Sequence, residues 1–144
     1  LADMDFADIE VGGTVGAGDQ ADIGTNGSLS YSGAFAGLGT GTAGAVRLSG
    51  ATNGATYQVY CDQTAQLRNI SGTSHITLNS IQAAPETSLG AFGTGSLCNG
   101  LTGSPALSFV FQSGTRDDIY FGGRLDGATA SGSISGLFST AHPS

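Results

Sequence analysis

The chain has 144 residues, of which 39% are hydrophobic and 25 are glycine, so it fits one domain over residues 1–144 with a modest core. Glycine recurs too often for stable helices, because each interior glycine costs a helix about 1 kcal/mol relative to alanine. Seven phenylalanines, four tyrosines and a charged fraction of only 10% argue against disorder. The net charge is −7 and lysine is absent, which argues against binding to nucleic acid or to an anionic membrane surface.

Short alternating apolar runs between glycine-rich turns predict an all-β fold, an antiparallel sandwich or barrel of about eight or nine strands. In the first run, Met4 and Phe6 share one phase, whereas Ile9 and Val11 share the opposite phase. A bulge near Ala7 would turn all four apolar side chains to one face. The run therefore predicts a core strand with a local irregularity.

The remaining runs continue this pattern. The clearest predicted strand covers residues 55–62, where Cys61 falls on the same face as Tyr57 and Val59. Residues 85–99 are the least strand-like and predict a long loop that carries Cys98. Further strands are expected at residues 28–35, 46–48, 76–81, 107–112 and 119–121, with a last one near Ile134 and Phe138.

The two cysteines, Cys61 and Cys98, are predicted to form one disulfide in an exported protein. It would close a loop of about 38 residues and stabilise the fold by about 4 kcal/mol in the chain-entropy model. The alternative is a pair of free thiols in a reducing compartment. The sequence opens at Leu1 without an initiator Met, which would fit a processed chain, and no apolar run reaches the roughly 18 residues of a membrane span.

No motif supports catalysis or cofactor binding. The GxGxxG match at residues 39–44 precedes a strand-like run, whereas dinucleotide binding needs a helix there. The histidines, His75 and His142, have no GxSxG nucleophile to serve. Asp117 and Asp118 are expected to cap a turn, because adjacent strand residues point to opposite faces. We therefore predict no enzyme activity, no catalytic residue and no cofactor.

Acidic residues are frequent in the first part of the chain. Alternating carboxylates can bind Ca²⁺ through their oxygens, but no EF-hand or nonapeptide spacing is present. The preferred interpretation is a solvated acidic strand and turn without a metal, and calcium binding stays open. The residues concerned are Asp3, Asp5, Asp8, Asp19 and Asp22.

Three segments resemble bacterial pilin-like β-sandwich domains. Residues 4–13 (MDFADIEVGG) are similar to the first strand of DUF4402 and spore-coat-U-type fimbrial domains, and residues 47–57 (RLSGATNGATY) to their central strand entry. Residues 121–138 (FGGRLDGATASGSISGLF) look like their terminal hairpin. Two features depart from the family pattern: the chain runs into STAHPS instead of a regular final strand, and an apolar segment before the first strand is absent.

The resemblance implies an immunoglobulin-like sandwich at the cell surface that polymerises when one subunit adds a strand to the open sheet edge of another. It implies other copies of the same chain as partners, with a possible assembly chaperone, and neither nucleic acid nor membrane insertion. The alternative is that the terminal strands are ordinary core strands of a self-contained sandwich. The candidates for subunit contacts are Met4, Phe6, Ile9, Val11, Leu137 and Phe138.

The sequence thus favours a structural subunit of an extracellular filament. The main alternative is a monomeric secreted binding or adhesin module for a carbohydrate or surface ligand, which would present tyrosines on one face. Tyr57 and Tyr60 fall on opposite faces of their strand, which weakens that alternative. Coat, S-layer and phage-type structural proteins form a further class.

Overall fold

A computed structural model describes residues 2–37, 39–68 and 72–131, together with the backbone of a strand at 136–139. Within this part, the chain is all β and antiparallel, which confirms the predicted fold class, and no helix could cross a membrane. The strands are β1 (Asp8–Val11), β2 (Gln20–Ile23), β3 (Leu29–Ser32), β4 (Phe35–Gly37), β5 (Gly44–Arg47), β6 (Thr56–Val59), β7 (Ala65–Arg68), β8 (His75–Pro85), β9 (Ser96–Leu97), β10 (Leu107–Val110), β11 (Asp118–Ser131) and β12 (Gly136–Ser139).

The largest sheet has the order β3-β2-β11-β8-β7 and is called the base sheet below. The long strand β11 lies at its centre and pairs with β8 along one edge. Along its other edge β11 pairs first with β5 and then with β2, and β9 extends the sheet beside β8. Ile119, Phe121 and Leu125 alternate along β11 and therefore share one face of this sheet.

Two small sheets cover that face. The sheet β12-β1-β4, the first cover, packs on a cluster that contains Leu125, and the pair β6-β10, the second cover, packs on a cluster that contains Ile119. Ile81 of β8 packs against both clusters, so the two apolar regions are continuous. The result is an antiparallel sandwich with one broad sheet and a divided second layer.

The predicted irregularity in the first run is confirmed at Ala7, whose φ is +59°. Phe6 before it and Ile9 and Val11 after it are all buried in the same cluster. Before Ala7 the chain bridges to residues near β5, and after Ala7 it pairs with β12 and β4. The kink therefore lets one short segment contribute to both layers.

The prediction of a single strand at residues 28–35 is wrong. β3 ends at Ser32, a turn with Gly33 at φ +67° follows, and β4 begins in the other layer. The alternation continues through the turn by coincidence, because Tyr31 and Phe35 pack on the same cluster from different sheets. The described part has twelve strands instead of eight or nine, ten of them with four residues or fewer, and residues 132–135 of the predicted last strand lie outside it.

Candidate assembly site in the N-terminal segment

Residues 2–11, the N-terminal segment, contribute several large apolar side chains to the core under the first cover. Phe6, Ile9 and Val11 are 3%, 0% and 7% exposed, and Met4 is half-buried against the same cluster. The structure therefore places four of the six candidates for subunit contacts inside the sandwich of their own chain. Leu137 and Phe138 lie on β12, opposite Glu10 and Ile9, and their side chains are outside the described part.

The backbone of this segment is hydrogen-bonded on both sides. β1 lies between β12 and β4, and the Gly12 N–H donates to the Ala34 carbonyl oxygen at 2.8 Å. Nearer its start, Asp5 and Thr42 exchange two backbone hydrogen bonds of 2.8 Å each. The segment thus behaves as an inserted strand, because it satisfies backbone groups on both neighbours as well as filling the core.

A glycine-rich link, residues 12–18, joins this segment to β2. Gly12 and Gly13 are exposed, and a side chain at Gly13 would meet no other atom within 4 Å. The Asp19 carboxylate organises the end of the link, accepting the Gly16 N–H at 2.9 Å and the Ala34 N–H at 2.7 Å. These two bonds, that from Ala34 most of all, lower the pKa of Asp19 below its usual value.

Tyr31 on β3 closes the first cover against the base sheet. Its hydroxyl donates to the Phe6 carbonyl oxygen at 3.3 Å, and its ring lies directly over Gly37. Burial raises the pKa of the Tyr31 phenol. A side chain at Gly37 would collide with this ring, so the glycine is required by close packing.

The second cover is held differently. Cys61, two residues beyond β6, forms the predicted disulfide with Cys98, which follows β9. The Cys98 N–H also donates to the Ile81 carbonyl oxygen at 2.8 Å, so Cys98 is fixed to β8. The disulfide therefore joins the second cover covalently to the edge of the base sheet.

Three carboxylates approach one another at the end of the base sheet: Glu86, Asp117 and Asp118 have oxygens within 4.8 Å. Arg47 donates two hydrogen bonds to Asp118, of 2.7 and 2.9 Å, which lowers the pKa of Asp118 and raises that of Arg47. Glu86 accepts the backbone N–H groups of Asp117 and Asp118 at 2.8 and 3.3 Å.

Asp117 caps the adjacent turn, as predicted, by accepting the Gly114 N–H at 2.9 Å. Each carboxylate of this cluster already has protein donors, and the arrangement anchors β5 and the turn to β11. Sequence reasoning considered Asp117 and Asp118 but missed Glu86 and Arg47, because they lie 31 and 71 residues away from the positions they contact.

The remaining residues considered from the sequence do not form a common site in the described part of the chain. The three-carboxylate cluster of the described part contains none of the acidic residues before Asp22, and Asp22 itself is bound by Arg124 at 2.7 and 2.8 Å. The GxGxxG match leads into β5, as predicted, not into a helix. His75 begins β8, whereas His142 lies outside the described residues.

No protein-family model matches the chain, and comparisons with curated proteins and with solved structures give no significant match. The pilin-like, immunoglobulin-like assignment therefore continues to rest on the resemblance of the three segments. The burial and two-sided backbone pairing of the N-terminal segment are the structural features that bear most directly on function.

Proposed function

We propose that this protein is a structural subunit of an extracellular filament, that it acts by assembly and not by catalysis, and that copies join by strand addition. The observation that carries the proposal is the N-terminal segment. In residues 2–11, three buried apolar side chains and backbone pairing on both sides occur next to a glycine-rich link that is exposed at Gly12 and Gly13 and contacts the core through Val15. The same contacts can form between two copies if the segment of one copy occupies the equivalent slot of the next.

The energetics support such an exchange. Full burial of a Phe, Ile or Val side chain contributes about 1.5–3 kcal/mol, so Phe6, Ile9 and Val11 together supply several kcal/mol to whichever sandwich they enter. Because these contacts are the same within one chain and between chains, the balance between the two states depends on the link and on protein concentration. The link has four glycines in seven residues, which gives it the conformational freedom that an exchange needs.

A filament subunit of this kind has other copies of itself as partners and acts at the cell surface. Other copies of the chain are the main partner, and an assembly chaperone would cover the slot before polymerisation, since an empty slot exposes core residues and unpaired backbone groups. The Cys61–Cys98 disulfide fits an oxidising environment such as a cell surface.

Negative-stain electron microscopy of the native protein, before any denaturant, tests this function. We expect regular filaments with a repeat close to the length of one domain and resistance to dilution. Uniform particles of about 14 kDa in light scattering at all concentrations would overturn the proposal and favour the monomeric binding module.

A further inference from the structure

A groove of about 400 Å³ lies on the face of the base sheet that the covers do not occupy. Tyr120 lines it, and Tyr120 points away from the covers because it alternates with Ile119 and Phe121 along β11. Ala45, the neighbour of Tyr120 on β5, continues the lining, and Leu89 forms part of a wall. Ala2 of the N-terminal segment also lines the groove, at its bridge to Ala45, so the groove borders the start of this segment and lies on the opposite face of the base sheet from the two apolar clusters.

The walls of the groove are fixed by hydrogen bonds. The Thr25 hydroxyl donates to the Gly90 carbonyl oxygen at 3.2 Å and accepts the Gly90 N–H at 3.0 Å. The Asn26 N–H also donates to the Gly90 carbonyl oxygen, at 3.1 Å. These bonds hold the turn after β2 against the loop that carries Leu89, so the groove is formed without a ligand.

The chemistry of the lining is neutral and amphipathic. Among the described residues that line the groove, none carries a carboxylate, guanidinium or imidazole, although the chain has a net charge of −7. The Asn26 amide N–H₂, the Thr42 hydroxyl and the Tyr120 hydroxyl make no hydrogen bond within the part of the chain that the structure describes. Leu89 adds an apolar surface that is 39% exposed.

We propose that this groove binds a neutral sugar residue. A pyranose ring has an apolar C–H face that fits the aromatic ring of Tyr120 and the side chain of Leu89, and its hydroxyls can pair with Asn26 and Thr42. The volume of about 400 Å³ lies in the range of small-ligand sites.

Other ligand classes fit less well. An anionic ligand would find no cation in the lining, and a purely apolar ligand would cover Asn26, Thr42 and Tyr120 without satisfying their polar groups. The site does not require filaments. If the N-terminal segment is exchanged in a filament, Ala2 of the neighbouring copy would complete the lining, and each subunit would carry one site.

Saturation-transfer NMR on the full chain tests the proposal with six probes: glucose, galactose, mannose, N-acetylglucosamine, maltose and cellobiose. We expect transfer to the ring protons of at least one sugar, and weaker transfer to galacturonate, which carries a charge. Absence of transfer from the protein to all six neutral sugars at millimolar concentration would overturn the proposal.

Matched variants locate the site. Tyr120→Ala should weaken sugar binding by about tenfold or more, because it removes the aromatic surface. Thr42→Val should weaken binding by about two- to tenfold, because it removes the hydroxyl while the side chain keeps its shape. The control is Tyr60→Ala, which removes an exposed tyrosine of the second cover and should leave binding unchanged. The assignment to this groove is wrong if Thr42→Val binds as tightly as the wild type, or if Tyr60→Ala abolishes binding. Both results can be obtained even if Tyr120→Ala does not fold.

Discussion

The two covers of the base sheet bury similar apolar faces but are attached in opposite ways. The first cover depends on large side chains from the N-terminal segment, with Ile9 fully buried, and on backbone pairing to β4 and β12. The second cover packs partly buried side chains, among them Val59, Leu107 and Phe109, on a buried cluster that includes Ala83 and Ile119 of the base sheet, and it has a disulfide beside it. The first cover is thus held by side-chain burial and backbone pairing, whereas a covalent bond reinforces the attachment of the second.

Under the proposed function, this difference indicates which part of the chain would change partner, namely the N-terminal segment of the first cover. A segment held by burial and hydrogen bonds can leave and re-enter an equivalent slot at a cost that the new contacts repay. A disulfide removes that freedom and keeps the second cover and β9 together during such an exchange. The following predictions separate the two modes of attachment.

The largest effect is expected for the double variant Cys61→Ala and Cys98→Ala. Loss of the cross-link should lower the free energy of unfolding by about 4 kcal/mol, because the unfolded chain regains the freedom of a long loop. Urea denaturation measures this loss, and hydrogen exchange should show it first in β6 and β9. An unchanged unfolding midpoint after reduction of the wild type would show that the disulfide does not stabilise the second cover.

The next effect is expected for Ile9→Ala, which leaves a cavity in the first cover. The free energy of unfolding should fall by about 3 kcal/mol, in the range for buried Ile-to-Ala changes. Glu10→Ala is the matched control on the same strand, since Glu10 is exposed, and should change stability by less than about 0.5 kcal/mol. Equal effects of both variants would contradict the burial of β1.

A smaller, stabilising effect is expected for Ala7→Gly at the kink. Ala7 has φ +59°, which strains an L-residue, so glycine should raise the free energy of unfolding by about 0.5 kcal/mol after its own entropy cost. Ala36→Gly on β4 is the control and should lower stability by about 0.5–1 kcal/mol. Destabilisation by Ala7→Gly would show that the kink is not strained.

The smallest effect is expected for the dependence of stability on acidic pH, through the carboxylate of Asp19. The pKa of Asp19 is lower in the folded protein than its usual value of 3.8, so its contribution to stability is complete above about pH 4 and is lost as pH falls through the folded pKa. Asp19→Asn should therefore flatten the dependence of stability on pH below pH 4. Asp62→Asn, at an exposed position, serves as the control. Parallel acid-unfolding curves for Asp19→Asn and the wild type would contradict this role.

The features of the fold that depend on local pattern were predictable. The opposite phases of Phe6 and Ile9 required a local irregularity, and the kink at Ala7, with φ +59°, provides it. The alternation over residues 55–62 placed Cys61 on the inner face, where it meets Cys98. In both cases the side-chain period of two was enough, because burial on one face selects the register.

The features that depend on distant pairing were not predictable. β9 has two residues and exists because it pairs with β8, and β2 has four residues with only Ala21 and Ile23 as apolar positions, too short a pattern to indicate a strand alone. The groove is formed by side chains from separate segments, such as Asn26, Leu89 and Tyr120, which no local pattern connects. Sequence alternation also failed at Gly33, where a turn continued the period of a strand.

The most direct test of the exchange of the N-terminal segment is a cross-linking experiment. Glu10 on β1 and Ala36 on β4 are directly opposite and both exposed, so a variant with Glu10→Cys and Ala36→Cys can form a disulfide across this pair. The control carries Gln58→Cys and Ser108→Cys, an exposed pair within the second cover. Each variant is assembled while the new cysteines are kept as free thiols. The assembled protein is then oxidised and separated on a non-reducing denaturing gel. We predict a ladder of covalent multimers for the first variant and only monomer for the control. A monomer band alone for the first variant, with the new bond formed inside each chain, would contradict strand exchange.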